Sequence, residues 1–208
     1  MGEGTLDVQR SLAWLGELID RTCSAPPVLV GHLMGGAIAS RFAVERGERI
    51  RGLVLVDTLG LARYRPSAKF ALAMAGFVVR PTERSRDRLF DRCFVDFDAV
   101  REQTGEQWEL LATYALDRAR SPELKAALRT MMPRVGLPAI PPQDLARIAV
   151  PTSLIHGRDD LQVALRIAED AAARYGWPVH VIDGAADDPA FEQPSAFLEA
   201  LRAALPAA

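Results

Sequence analysis

Most of the side chains that could do chemistry in this 208-residue chain are acids that follow apolar runs. Asp57 closes "IRGLVLVDT" (50–58), Asp159 and Asp160 follow "VPTSLIHG" (150–157), and Asp187 follows "PVHVIDG" (178–184). Acids at such positions often cap the turn that comes next. A cation held by Asp57, Asp159, Asp160 and Asp187 would be hard and weakly bound, because carboxylates without His or Cys suit only such ions. No metal and no cofactor is expected. Cys23 and Cys93 have neither metal-ligand spacing nor the density of a disulfide scaffold. The remaining candidate is "PPVLVGHLMGGAIASRF" (26–42), an apolar run that breaks at Gly31 into a glycine-rich bend and then a helical pattern.

Those groups need elements to position them. The four runs beginning at Pro26, Ile50, Val150 and Pro178 are nearly continuous in apolar character, which suits parallel strands covered on both faces. Helical patterns separate them. Val8, Leu12, Leu15 and Ile19 share one face of a helix expected to start near Thr5. Ala37, Ile38 and Phe42 mark a second helix that Gly47 is placed to end. "LQVALRIAEDAAARYG" closes at Gly176, and Phe197, Leu198, Leu201 and Leu205 form a last apolar stripe. Alternation of this kind implies a doubly wound α/β sheet. Residues 61–147 break the rhythm with helical segments, no convincing strand and a Pro-rich connector. A helical insertion there would lie over the C-terminal edge of the sheet, where open α/β sheets bind ligands.

Bulk composition narrows the classes. With 49% hydrophobic and 25% charged residues, the chain supports a packed core. Its formal charge of −2 gives no footprint for nucleic acid or an anionic membrane, and neither partner is expected. The basic run from Arg80 is interleaved with Glu83, Asp87 and Asp91, as on a solvated helix face. No apolar run approaches the ~20 residues of a membrane span, and no signal-peptide pattern opens the chain, so a cytoplasmic protein is expected.

Three of these motifs resemble those of the α/β-hydrolase family, in its cap-bearing, esterase-like and lyase-like branch. "VLVGHLMGG" is similar to the nucleophile elbow, Gly-x-Ser-x-Gly between strand and helix. "VPTSLIHGRDD" looks like the strand and turn that present the triad acid, and "VIDGAADDPAFEQPSAFLEAL" like the last strand, histidine loop and final helix. The resemblance implies an N-terminally truncated α/β-hydrolase fold with about four parallel strands flanked by helices. Its core would comprise 1–60 and 148–208, with 61–147 as a helical cap. The nucleophile slot holds Leu33, whose alkyl group attacks no carbonyl. Asp160 takes the triad-acid slot, and Asp187 stands where the family places its histidine. His32, Met34 and Gly35 fall at oxyanion or pocket positions, with the Met34 amide as one oxyanion donor. The second donor belongs to a loop upstream of the elbow that is not expected here. None of the histidines replaces the missing base, because His32 lies inside the elbow and His156 and His180 lie in strands.

These departures set the functional expectation: a catalytically degenerate homologue that binds a small apolar ligand or a partner. Leu33 either plugs a disused pocket, the favoured outcome, or lines a ligand site under the cap. One alternative is an isomerase, lyase or cyclase that uses Asp160 and Asp187 as a proton-transfer pair. For that pair the favoured outcome is a relaxed loop with Asp187 in water. A third class is an incomplete remnant without selected activity. The first strand would form an open sheet edge, covered by residues 1–25 or paired in a homodimer.

Overall fold

The computed structural model of the chain describes residues 7–206, so the expected helix start at Thr5 lies outside the described residues. Helix α1 (Val8–Thr22) is capped by Asp7, whose carboxylate accepts the Arg10 N–H at 2.9 Å. The chain then forms β1 (Val28–His32), α2 (Met34–Arg46) and β2 (Gly52–Val56). Between β2 and the third strand only helices occur among the described residues. They are α3 (Ala68–Val79), α4 (Glu83–Cys93), α5 (Phe97–Thr104), α6 (Gln107–Arg120), α7 (Pro122–Met131) with a π-helical turn (Met132–Gly136) after it, and the single turn α8 (Pro142–Leu145). The regular alternation resumes with β3 (Thr152–Gly157), α9 (Arg166–Tyr175) and β4 (Val179–Ile182), followed by α10 (Pro189–Glu192) and α11 (Pro194–Ala204).

All four strands are parallel and lie in the order β1-β2-β3-β4. Strand parity sorts the core into two layers. Leu53, Leu55 and Leu154 pack with Leu12 and Ile19 of α1, Phe42 of α2 and Ala168 of α9. Val54, Val56 and Ile155 face the other way, against Phe197, Leu201 and Ala204 of α11. Continuous burial holds for β2 and β3 but not for the outer strands, where β1 and β4 are only partly covered. Val30 of β1 is 50% exposed, because α11 does not reach across to it.

Several local expectations need correction. Gly47 is right-handed helical and lets α2 run into a short 3₁₀ turn (Gly47–Arg49) instead of stopping it. Gly176 does take the left-handed C-terminal conformation, with φ 72°. Helix α9 starts at Arg166, later than the apolar pattern suggested, because residues 161–165 wrap around Asp160. Leu198 and Leu205 are exposed, and the stripe of α11 is completed by Ala200 and Ala204.

The helical segment has apolar centres of its own. Phe70 and Phe77 of α3 pack with Leu89 and Leu116. Phe90, Phe97 and Trp108 meet edge to face with centroids 5.3–6.0 Å apart. The segment touches the rest of the chain at loops that follow strand C-termini. Ser67 N–H donates to Leu161 O, Ile140 N–H to Gly60 O, and Asp187 N–H to Cys93 O.

β1 ends the sheet with no strand on its outer side among the described residues, and α1 packs on α2 rather than along that edge. Coverage by residues 1–25 is therefore not what their described part provides. The open edge predicts concentration-dependent self-association, read by light scattering. Val30→Lys should suppress it by placing a charge on the edge. A monomer at every concentration would exclude edge pairing.

Candidate functional site

The bend after β1 is held by a dense set of main-chain contacts. Leu33 N–H donates to Val56 O at 3.1 Å, and Leu33 O accepts from Ala37 N–H and Leu59 N–H. To satisfy both ends Leu33 takes φ 47°, ψ −115°, a conformation that costs an alkyl residue about 1–3 kcal/mol. Glycine makes the close approach possible. A Cβ on Gly31 would sit 2.7 Å from Gly36 Cα, and one on Gly36 would collide with the Thr58 side chain. Gly35 meets nothing within 4 Å, so crowding does not explain that glycine. Met34 opens α2, whose first N–H groups have no partner within the helix.

The Leu33 side chain is half-buried among Ala37, Leu59, Tyr64, Met132, Val163 and Ile167. A small void that Leu33 does not border, lined by Thr58, Leu59, Tyr64 and Val163 among others, amounts to about 10 Å³. That is no more than a single water needs.

A row of buried ionisable groups lies at the C-terminal ends of β2 and β3. Asp57 has φ 41°, and its Oδ1 accepts the Gly157 N–H at 2.9 Å. His156 stands between two acids. Its Nε2 lies 2.9 Å from Val163 O and 3.9 Å from Asp160 Oδ2, while Nδ1 lies 3.4 Å from Asp57 Oδ1. The Val163 carbonyl can only accept, so Nε2 carries a proton. Burial pushes the Asp57 carboxyl well up and His156 down, which favours a neutral acid beside a neutral imidazole. Asp160 Oδ1 accepts the N–H groups of Gln162 at 2.6 Å and Val163 at 2.9 Å, folding the loop into an Asx-type turn. Burial still outweighs those two bonds and pushes Asp160 up to about 7.

Asp187 is buried, not in water as expected, and its Oδ1 has no hydrogen-bond partner. Desolvation first, then the charges of Asp160 and Asp188, push it up to about 9. Both acids are buried and Asp187 feels the charge of Asp160, which favours a protonated Asp187 at neutral pH. Burial and the Asp187 charge push the nearby Cys93 thiol up, and burial with Asp160 pushes Tyr64 up to about 12. His32 Nε2 is 2.6 Å from the Asp187 backbone O, tying the bend to the 187 loop.

Two participants had no sequence signal. His156 was read only as a strand residue, yet it completes a set with Asp57 and Asp160 whose ligand atoms lie within 4.8 Å of one another. The carboxylate-only cation set is thus corrected to one containing a histidine. These donors fit a cation poorly. Val163 O engages His156 and Gly157 N–H engages Asp57, while the void bordering His156 has no room for a water. The orphaned Oδ2 atoms of Asp57 and Asp160 suit protonated acids. The second is Glu192, which bridges Val95 N–H and Ala186 N–H at 2.6 Å each and so fastens the helical segment to the last loop.

The geometry generates two predictions. The folded-state values of Asp160 and Asp187 lie above the ordinary value near 4, so folded protein binds more protons than unfolded between about 4 and 9. Stability should fall as pH rises through that window. Asp187→Asn should flatten the fall and raise stability at pH 7 by about 1–3 kcal/mol, read by urea unfolding across pH. An unchanged curve would mean that Asp187 ionises without penalty. Glu192→Gln sets an amide donor against one of two N–H donors and should cost about 1–3 kcal/mol.

Comparison with known proteins adds a family to this geometry. Residues 3–200 match the model of the Alpha/beta hydrolase family. Among solved structures, a serine hydrolase from Cycloclasticus zankles, a polyaromatic-hydrocarbon-degrading bacterium, superposes with TM-score 0.80 at 18% identity, over 97% of this chain and 74% of that one. The 2-hydroxy-6-oxo-6-phenylhexa-2,4-dienoate hydrolase from Rhodococcus sp. strain RHA1 gives 0.80 at 19%, over 98% and 74%. A meta-cleavage product hydrolase from Pseudomonas fluorescens IP01 gives 0.77 at 20%, over 98% and 73%. No curated protein matches the chain by sequence. With the parallel sheet and the bend after β1, the family match establishes that this chain belongs to the α/β-hydrolase family.

Proposed function

We propose that this chain is a non-hydrolytic member of its family, with the reacting position closed by Leu33 and the base position occupied by an acid. The observation that carries the reading is the Leu33 backbone. It holds a conformation suited to presenting a nucleophile, yet the side chain it presents is an alkyl group seated in an apolar cluster. Without nucleophile and base there is no acyl-transfer route. Residues 61–147 act as the cap, over a core of 1–60 and 148–208. A small apolar ligand at Leu33 is the weaker version of this reading, because the side chain already packs against Ala37, Leu59 and Val163.

A second reading has a specific observation behind it. Asp160 and Asp187 are buried acids pushed to about 7 and 9, and Asp187 keeps an oxygen without a partner. A neutral acid beside an ionisable one is the arrangement that proton transfer in an isomerase, lyase or cyclase requires. The hydrolases among the similar structures share the fold, and their substrates are not carried over at 18–20% identity.

The test rebuilds what is absent. Leu33→Ser with Asp187→His nominally restores a Ser-His-Asp set with Asp160. The double variant should hydrolyse p-nitrophenyl esters no more than in trace. Leu33 packs against the Ala37, Leu59, Val163 cluster and Asp187 is buried, so the rebuilt set has no open site for an ester. Leu33→Ser should also cost about 1–3 kcal/mol of stability, because a hydroxyl replaces a packed alkyl group. Saturable turnover by the double variant would reduce the defect to two side chains. Saturable turnover by the unmodified protein would overturn the proposal itself.

A further inference from the structure

Beyond Lys69 in its first turn, helix α3 is apolar on all sides, which is the composition of a helix surrounded by apolar material. Only one side has it. Phe70, Ala73 and Phe77 face inward onto Leu89 of α4 and Leu116 of α6. The opposite side presents Leu72, Ala75, Gly76, Val78 and Val79 to solvent, with Leu72 77% and Val79 84% exposed. No polar side chain interrupts that face, and an uninterrupted exposed apolar patch marks a contact surface.

The surroundings of the patch decide what fits it. Lys69 and Arg80 flank it at its two ends, and Arg80 leads into α4. A shallow groove of about 470 Å³ joins the end of α3 to the first turns of α4, lined by Gly76, Arg80, Thr82, Arg84, Ser85 and Arg88. Asp87 and Asp91 are paired with Arg86 and Arg92, leaving Glu83 as the acid of the first turn. Among the described residues Arg80, Arg84 and Arg88 form no ion pair. This edge is locally cationic although the whole chain carries −2.

We infer that the outer face of α3, with Arg80, Arg84 and Arg88, docks this protein onto an anionic lipid surface. The apolar side chains enter the boundary between headgroups and acyl chains, and the guanidinium groups lie at headgroup level against phosphates and carboxylates. A helix lying in the interface needs this division between an apolar face and a basic border. The long Arg stems reach sideways from the apolar face to polar groups. A second copy fits less well. With cations at both ends of the stripe, antiparallel pairing sets Lys69 against Arg80 of the other copy, and parallel pairing sets each against its own kind. This contact lies on the membrane and does not cross it, in keeping with the absence, among the described residues, of any helix long and apolar enough to span a bilayer.

The experiment is cosedimentation of the full chain with vesicles of phosphatidylcholine, alone and mixed with phosphatidylserine. The protein should pellet with the mixed vesicles, less so as salt is raised, and scarcely with the neutral ones. Arg84→Ala with Arg88→Ala should weaken partitioning by roughly tenfold or more. Leu72→Asp with Val79→Asp should abolish it while leaving the thermal melt unchanged, since both sites are exposed. Failure to pellet with either vesicle overturns the inference and leaves the face to a protein partner. Equal pelleting with both, or an arginine variant that binds normally, overturns the electrostatic part. Self-association that the Leu72→Asp, Val79→Asp variant loses assigns the face to a second copy instead.

Discussion

The hydrogen bond from Leu33 N–H to Val56 O fixes the end of β1 against the end of β2, and most of the site's geometry follows from it. With that bond in place the chain must turn into α2 within one residue, so Leu33 takes a positive φ and α2 comes down onto Gly31. Leu59 then bonds to the Leu33 carbonyl, which sets where the chain leaves β2. Asp57, between those anchors, is itself at positive φ and is turned inward to meet Gly157. Two strained residues thus follow neighbouring strand ends, Leu33 held by Val56 and Leu59 and Asp57 held by Ile155 and Gly157.

The acids behind this turn carry a cost that the surrounding main chain only partly offsets. Asp57, Asp160 and Glu192 accept backbone N–H groups, whereas Asp187 has a buried oxygen with none. Protonation is the inexpensive way to keep such a group out of water. In this fold the neighbourhood accommodates an acid at 187 chiefly as a neutral group. The His32 ring supports the loop through the Asp187 carbonyl and leaves the carboxyl to its buried neighbours.

Much of this was legible in the chain. Each apolar run became a strand within a few residues, and Gly31 and Gly36 announced the tight bend, because only a residue without Cβ fits those approaches. What local pattern could not carry was partnership across distance. His156 reads as one more residue of a buried strand until Asp57 arrives from β2. Glu192 sits in a short turn with no periodicity to mark it, and its two partners are 97 and 6 residues away. The burial of Asp187 was misjudged for the same reason: what shields it is α4 and the Cys93 region, a contact between segments far apart in the chain. Leu198 went the other way, since an apolar stripe shows which side of a helix can be buried but not how far the sheet beneath it extends.

The aromatic cluster of Phe90, Phe97 and Trp108 has a consequence for how the molecule breathes. It gives the helical segment a centre of its own, while that segment joins the rest through main-chain bonds, the Glu192 bridge and the packing of Tyr64, Met132, Ile140 and Leu145 at its two ends. Amide protons should therefore exchange in at least two populations, with β2 and β3 opening only on global unfolding and the helical layer lifting at lower free energy. Helix α7, which buries no residue, should exchange fastest of its helices. Lifting must break the Val95–Glu192 and Asp187–Cys93 contacts, so the event that exposes Asp187 to water is the same one that frees the layer above it.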